Sequence, residues 1–167
     1  MINYYKKNFL YILIFILLPN NVFAVGSIAT IDLNMILNES NSGKKVLSNI
    51  QKFKSKNISQ IDNKQKKLKV LEVEIENQKN LLSKEDLNLK LINFKKEINE
   101  FRLFQNKLAN EFNIKKNTEI KNFFEKINPT IQKYMEESDI GILIDKKNIY
   151  IANNSNDITS TILKIMD

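Results

Sequence analysis

Four lysines fall at 64, 66, 67 and 69, and the chemistry they offer is electrostatic capture of anions. They close a longer basic run that begins with Lys52, Lys54 and Lys56. Glu72, Glu74 and Glu76 follow at once, so the run also reads as a solvated helix face of mixed charge. The aromatic residues carry a similar double reading. Phe94, Phe101 and Phe112 recur with seam spacing and are core by pattern, whereas Phe104 lies off that seam and Phe123 beside a later one. An off-seam aromatic on a thin helical arm is either a subunit contact or an apolar contact for a bound client. Lys64, Lys66, Lys67, Lys69, Phe104 and Phe123 are therefore the candidate client-binding residues.

Other chemistry is scarce. The chain has no His and no Cys. The usual general base near neutral pH, the commonest metal ligand, thiolate sites and disulfides are all missing. No GxSxG, HExxH or phosphate loop occurs, and nothing points to carboxylate or Ser–Lys catalysis. The loop Asn153-Asn154-Ser155-Asn156 lacks the Gly and the distal Glu of a calcium loop. The expectation is a non-enzyme with no cofactor and no metal. The formal charge is +7, or +5 once Lys6 and Lys7 of the leader are set aside. Almost all of it is Lys, with Arg102 the only Arg. Reading of bases or phosphates favours the Arg fork, so the attraction is diffuse. Acidic polypeptides and an anionic membrane surface suit it; specific nucleic acid does not.

The elements that must position these residues begin with a leader, residues 1–24. Lys6 and Lys7 form a positive start, Phe9 to Leu18 an unbroken apolar run, and Val22-Phe23-Ala24 a small-residue cleavage site. This is the pattern of a secretory signal peptide, with the cut between Ala24 and Val25. The alternative is an uncleaved anchor, but the run is about half of the roughly 20 apolar residues that a span needs. The expected product is exported and soluble, and without a lipobox Cys it carries no lipid.

Residues 25–42 read as a first strand, Ser27 to Leu33, and a polar entry segment with good helix caps. Residues 43–138 are the long arm. Leu47, Ile61, Leu68, Ile75 and Leu82 recur every seven with Lys54 the one miss, while the companion positions are Ile50 and Leu71 but also Asn57, Lys64 and Gln78, so this outgoing seam is half polar. Ser83 and Asp86 can cap a new helix, which places a turn near 83. One helix running straight through is the alternative. The returning seam is Leu87, Leu91, Phe94, Ile98, Phe101, Gln105, Leu108 and Phe112. It dissolves over 113–119 and restarts out of phase at Ile120, Phe124, Ile127, Ile131 and Tyr134, a sign that the packing partner changes. Pro129 should kink or restart the helix.

Residues 139–167 read as a hairpin, Ile140 to Ile144 with Ile149 to Ala152, and a last helix capped by Asp157. Three short strands make a thin sheet with open edges, so such a body should close by joining copies of itself. Ile28, Ile31, Ile142, Ile144, Ile149 and Ile151 are the candidates for that contact. The fold class expected is α+β and mainly helical.

Asn38-Glu39-Ser40 with Gly43-Lys44-Lys45, the strand Ile142-Leu143-Ile144-Asp145, and Asn156-Asp157-Ile158-Thr159 followed by Ile162-Leu163-Lys164 resemble the Skp/OmpH family of periplasmic chaperones. The resemblance covers essentially the whole chain after the leader. It implies a homotrimer with a central β body, from which coiled-coil hairpin arms project around a cavity. It also implies an ATP-independent holdase that keeps unfolded outer-membrane β-barrel proteins from aggregating in the periplasm. A glycine that often follows the returning helix in the family is replaced here at about Asp139, and +5 is moderate for a family with strongly basic members. A structural envelope coiled coil, spacer or tether, is the competing function, and would call for tighter seams and an anchor. An exported nucleic-acid or lipopolysaccharide binder would call for clustered Arg.

Overall fold

The computed structural model describes residues 26–167; the leader and the cleavage point at Ala24 and Val25 lie outside the described residues. Strand β1, Ser27–Ile31, leads into a short helix α1, Leu33–Glu39. The Asp32 carboxylate caps α1 by accepting from the Met35 amide at 2.8 Å. Ser40 ends α1 and starts α2, Asn41–Gln78, its buried hydroxyl accepting from the Gly43 amide at 3.0 Å. After a tight reversal comes α3, Lys84–Glu137, then strand β2, Ile140–Asp145, and a closing helix α4, Thr159–Met166.

The reversal has the cap chemistry its residues suggest. Ser83 Oγ accepts from the Asp86 amide at 3.1 Å and donates to the Asp86 carboxylate at 2.6 Å. At about 1.5 Å per residue, α2 spans about 57 Å and α3 about 80 Å. The surplus of α3 is what runs on into the body. Helix α3 continues through Pro129, so of the kink or restart expected there the restart does not occur. Pro129 lies exposed, so solvent can replace the donor that the preceding turn loses.

Strands β1 and β2 pair in parallel, Ile28 opposite Ile142 and Thr30 opposite Ile144. Parallel strands need a crossover connection. Here the crossover is the whole helical arm. The hairpin expected between Ile140–Ile144 and Ile149–Ala152 does not form. A 3₁₀ turn, Lys146–Asn148, carries the chain away from the sheet, and Tyr150 and Ile151 are exposed with no strand partner. The other side of β1 is already taken: Thr30 bridges Asp157, and the Ile158 amide donates to the Thr30 carbonyl at 2.9 Å. Only the outer edge of β2 is left open.

The core lies where α1, α4 and the base of α3 cover one face of this sheet. It holds Ala29, Ile31, Ile36, Leu37, Phe123, Ile127, Ile131, Ile158 and Ile162. Phe123, Ile127 and Ile131 recur every four along α3, one face of the helix. A polar clasp ties the chain ends together. Asp157 accepts from the Thr159 amide at 2.9 Å and from Lys146 Nζ at 2.8 Å, and Thr159 Oγ1 accepts from the Asp32 amide at 2.8 Å. Burial pushes the Asp157 carboxyl up, but the hydrogen bonds from Lys146 and Thr159 outweigh it and hold the group below the usual carboxylate range.

All three glycines sit in this body. A Cβ on Gly43 would meet the Leu37 carbonyl oxygen at 2.1 Å. Gly26 and Gly141 face each other where β1 and β2 begin, and a Cβ on Gly26 would meet the Gly141 nitrogen at 2.6 Å. Between α3 and β2, Asp139 takes a left-handed φ of 51°.

Candidate functional site

The arm is the part of the molecule with most surface and least interior. Along the whole hairpin only Asn57 of α2 and Leu108 of α3 are buried outside the body, and they touch: Asn57 Nδ2 donates to the Leu108 carbonyl at 3.2 Å. Asn57 is one of the three polar companion positions of the outgoing seam, with Lys64 and Gln78. Between Asn57 and the tip, Leu68, Ile75, Phe94 and Phe101 line the seam half-buried. A two-helix seam without a third helix cannot cover its leucines and phenylalanines, and theirs are not covered. On the outward side, Ile92, Leu103 and Ile114 recur every eleven residues, close to three full turns, and form one exposed apolar stripe along α3. Val70 and Val73 form a second patch on α2, flanked by Lys66 and Lys69.

Ion pairs line the arm without stiffening it much. Lys115–Glu119 at 2.6 Å and Lys121–Glu125 at 3.4 Å are i,i+4 pairs on exposed faces. Such pairs contribute about 0.2–0.5 kcal/mol each, less with Lys toward the N-terminus as here.

The structure divides the lysine quartet two and two. Lys64 and Lys67 face the groove between the helices, while Lys66 and Lys69 flank Val70 and Val73 on the outer side. Lys69 pairs with Glu72 at 2.7 Å. Phe104 is half-buried, and Lys64 Nζ sits 4.3 Å from its ring centroid, a cation–π contact. Phe123 is corrected outright: it lies 5% exposed in the body core, edge-on to Phe124, and offers no surface to a partner. Ile92, Leu103, Ile114, Val70 and Val73 were missed by the sequence reading. The eleven-residue spacing of Ile92, Leu103 and Ile114 is the one signal for them in the sequence, on the side of α3 away from its seam; Val70 and Val73 on α2 carry no such spacing.

Among the six isoleucines of the expected inter-copy contact, Ile31 is corrected too. It is 2% exposed within the chain's own core. Ile28 and Ile142 lie side by side, exposed, on the opposite face of the sheet, with Ile144 and Ile149 half-buried and Ile151 exposed beyond them.

A family model described as outer membrane protein (OmpH-like) matches residues 27–166. The chain belongs to the OmpH-like family. A solved structure from Caulobacter crescentus CB15, assigned as a candidate OmpH-like outer membrane chaperone, is 14% identical with a TM-score of 0.76. The match covers 86% of this chain and 85% of that one, so the OmpH-like fold of long helical arms on a small sheet is shared over nearly the full length. No curated protein matches the chain. Among the described residues, no helix of this OmpH-like protein is long and apolar enough to cross a membrane.

Proposed function

We propose that this chain is an ATP-independent holdase chaperone of the periplasm. It binds unfolded outer-membrane β-barrel proteins and prevents their aggregation on the way to the outer membrane. The observation that carries the reading is the arm. It is long, basic and nearly without interior, and it leaves Ile92, Leu103 and Ile114 exposed beside lysines. An unfolded barrel protein offers apolar side chains and acidic segments, and such an arm can meet both without a fixed pocket. A spacer or tether would gain nothing from leaving that much apolar surface in water. Family membership and the chaperone assignment of the Caulobacter neighbour support the same function.

The export signal, cleaved between Ala24 and Val25, delivers the chain to that compartment. Its net charge also draws it to anionic membrane surfaces. The body assembles as a homotrimer. Support comes from the open outer edge of β2, the exposed pair Ile28 and Ile142, and the unpartnered run Ile149–Ala152. That run is β-prone and becomes a strand when a neighbouring copy supplies its partner.

The test is dilution of a urea-denatured outer-membrane barrel protein into buffer with and without the mature chain, followed by light scattering. Suppressed scattering by a trimeric species is expected. A trimer that leaves aggregation unchanged would sink the holdase reading while sparing the assembly. Reversing Lys64, Lys66, Lys67 and Lys69 to Glu should weaken client binding about tenfold or more at low salt.

A further inference from the structure

Helix α3 carries an internal repeat of eleven residues. Asn99-Glu100-Phe101 recurs as Asn110-Glu111-Phe112, and Phe123 continues the series. Eleven residues make three helical turns to within about 20°, so equivalent positions stack in nearly straight columns. The inner column is Phe101 and Phe112, half-buried, and Phe123, buried. The outer column is Ile92, Leu103 and Ile114, all exposed. Its neighbours repeat as well. Four residues before each apolar residue stands an asparagine: Asn88, Asn99 and Asn110. Four residues after stand Lys96, Lys107 and Thr118. Steps of four keep each trio on one face, and all nine residues are exposed. Lys96 pairs with Glu100 at 4.0 Å and Lys107 with Glu111 at 3.9 Å, exposed contacts that contribute little. Lys95 and Arg102 border the face and make no ion pair among the described residues.

We propose that this face binds an extended, acidic and apolar segment of an unfolded polypeptide, in three equivalent rungs along α3. The inference rests on the holdase reading and adds the shape and spacing of what the arm holds. Each rung offers an apolar side chain and an asparagine amide, and the first two add a lysine. An asparagine both donates and accepts. The peptide groups of a helix are satisfied internally, whereas those of an extended chain are free to meet such an amide. Rungs eleven residues apart are separated by about 16.5 Å, at about 1.5 Å per residue. An extended chain covers that distance in about five residues, at about 3.3 Å each. A helical guest would instead need its apolar residues eleven apart. Charge selects the kind of guest. Lys95, Lys96, Arg102 and Lys107 stand on or beside the face against Glu100 and Glu111, so an acidic segment is attracted and a copy of the same basic face is not.

The test titrates the mature chain into labelled synthetic peptides, acidic and of equal length and composition, each with three leucines. In one peptide the leucines are five residues apart, in the other eleven. The extended fit predicts that the five-spaced peptide binds tighter by about fivefold or more, read by fluorescence anisotropy. No binding, equal affinities, or tighter binding of the eleven-spaced peptide would overturn the proposal, the last in favour of a helical guest. Ile92→Gln, Leu103→Gln and Ile114→Gln face solvent and suit a helix, so the fold is kept. Each should weaken the five-spaced peptide about fivefold, and the triple variant about a hundredfold. A triple variant that binds like wild type rejects the face as the site. Dilution of a urea-denatured outer-membrane barrel protein onto the same chains separates the two readings. Wild type that leaves scattering unchanged sinks the holdase, whereas wild type and triple variant that suppress it equally sink only the rungs.

Discussion

Gly43 lies at the corner where α1 turns into α2, and replacing it by Ala sets two physical effects against each other. Helix propensity alone favours Ala over Gly by about 1 kcal/mol. The corner opposes it. The new Cβ would sit 2.1 Å from the Leu37 oxygen and 2.9 Å from the Ser40 hydroxyl. Leu37 and its neighbour Ile36 are core residues, 8% and 0% exposed, so α1 cannot retreat without opening the interior. Overpacking of this kind costs about 1–3 kcal/mol. Displacing Ser40 from the Gly43 amide costs about 1 kcal/mol more. The net effect of Gly43→Ala is therefore a loss of about 1–3 kcal/mol. With a urea m-value of about 2 kcal/mol/M, the midpoint should fall by about 0.5–1.5 M. The assay is tyrosine fluorescence of the mature chain, whose tyrosines are Tyr134, packed against the core, and the exposed Tyr150. It therefore reads the body and not the arm. A midpoint that stays level or rises would refute the close-approach reasoning and leave propensity in charge.

Asp139→Gly should stabilise the body by about 0.5–1 kcal/mol, because the φ of 51° is strained for a residue with a Cβ and free for glycine. A raised urea midpoint checks it, and no change would mean the Asp side chain repays its strain. Asp157→Asn should cost about 1–2 kcal/mol at neutral pH by weakening charge-assisted bonds from Lys146 and Thr159. The native carboxyl is held below its unfolded value near 3.8, so its contribution is full above that pH and lost as the pH falls through the native value. The gap between wild type and variant should then close in acid; a gap constant with pH would assign the effect to shape. Asn57→Leu should raise the stability of the arm's base, since it replaces the one buried polar side chain of the seam by an apolar one. Slower hydrogen exchange of the amides around residues 57 and 108 is the readout, and unchanged exchange would count against it.

Local signals in the chain were readable where local physics decides. The seven-residue seam of α2, the Ser83–Asp86 cap and the Phe-rich return all depend on residues within a few turns of one another. The body was harder. The pairing of β1 with β2 joins Ser27 to Ile140 across the entire arm, and no local pattern announces a parallel register at that range. Ile149–Ala152 has strand composition but no partner in the chain, so composition overstated it. Ile31 and Phe123 illustrate the same limit for the site. Each has the chemistry of a contact residue, and only the packing of α1, α3 and α4 shows that the contact is internal. Gly43 stood out in the sequence as part of a family-like motif; its reason is a carbonyl oxygen contributed by another helix.

The single buried contact of the arm, Asn57 on Leu108, has a thermodynamic consequence. Beyond it no side chain is fully withdrawn from water, so local opening there forfeits little apolar burial. The body must surrender nine interlocked core residues to open at all. Amide protons of the outer arm should therefore exchange through small openings, while those of the body wait for global unfolding. One polypeptide would report two free energies, and a single melting temperature would describe neither.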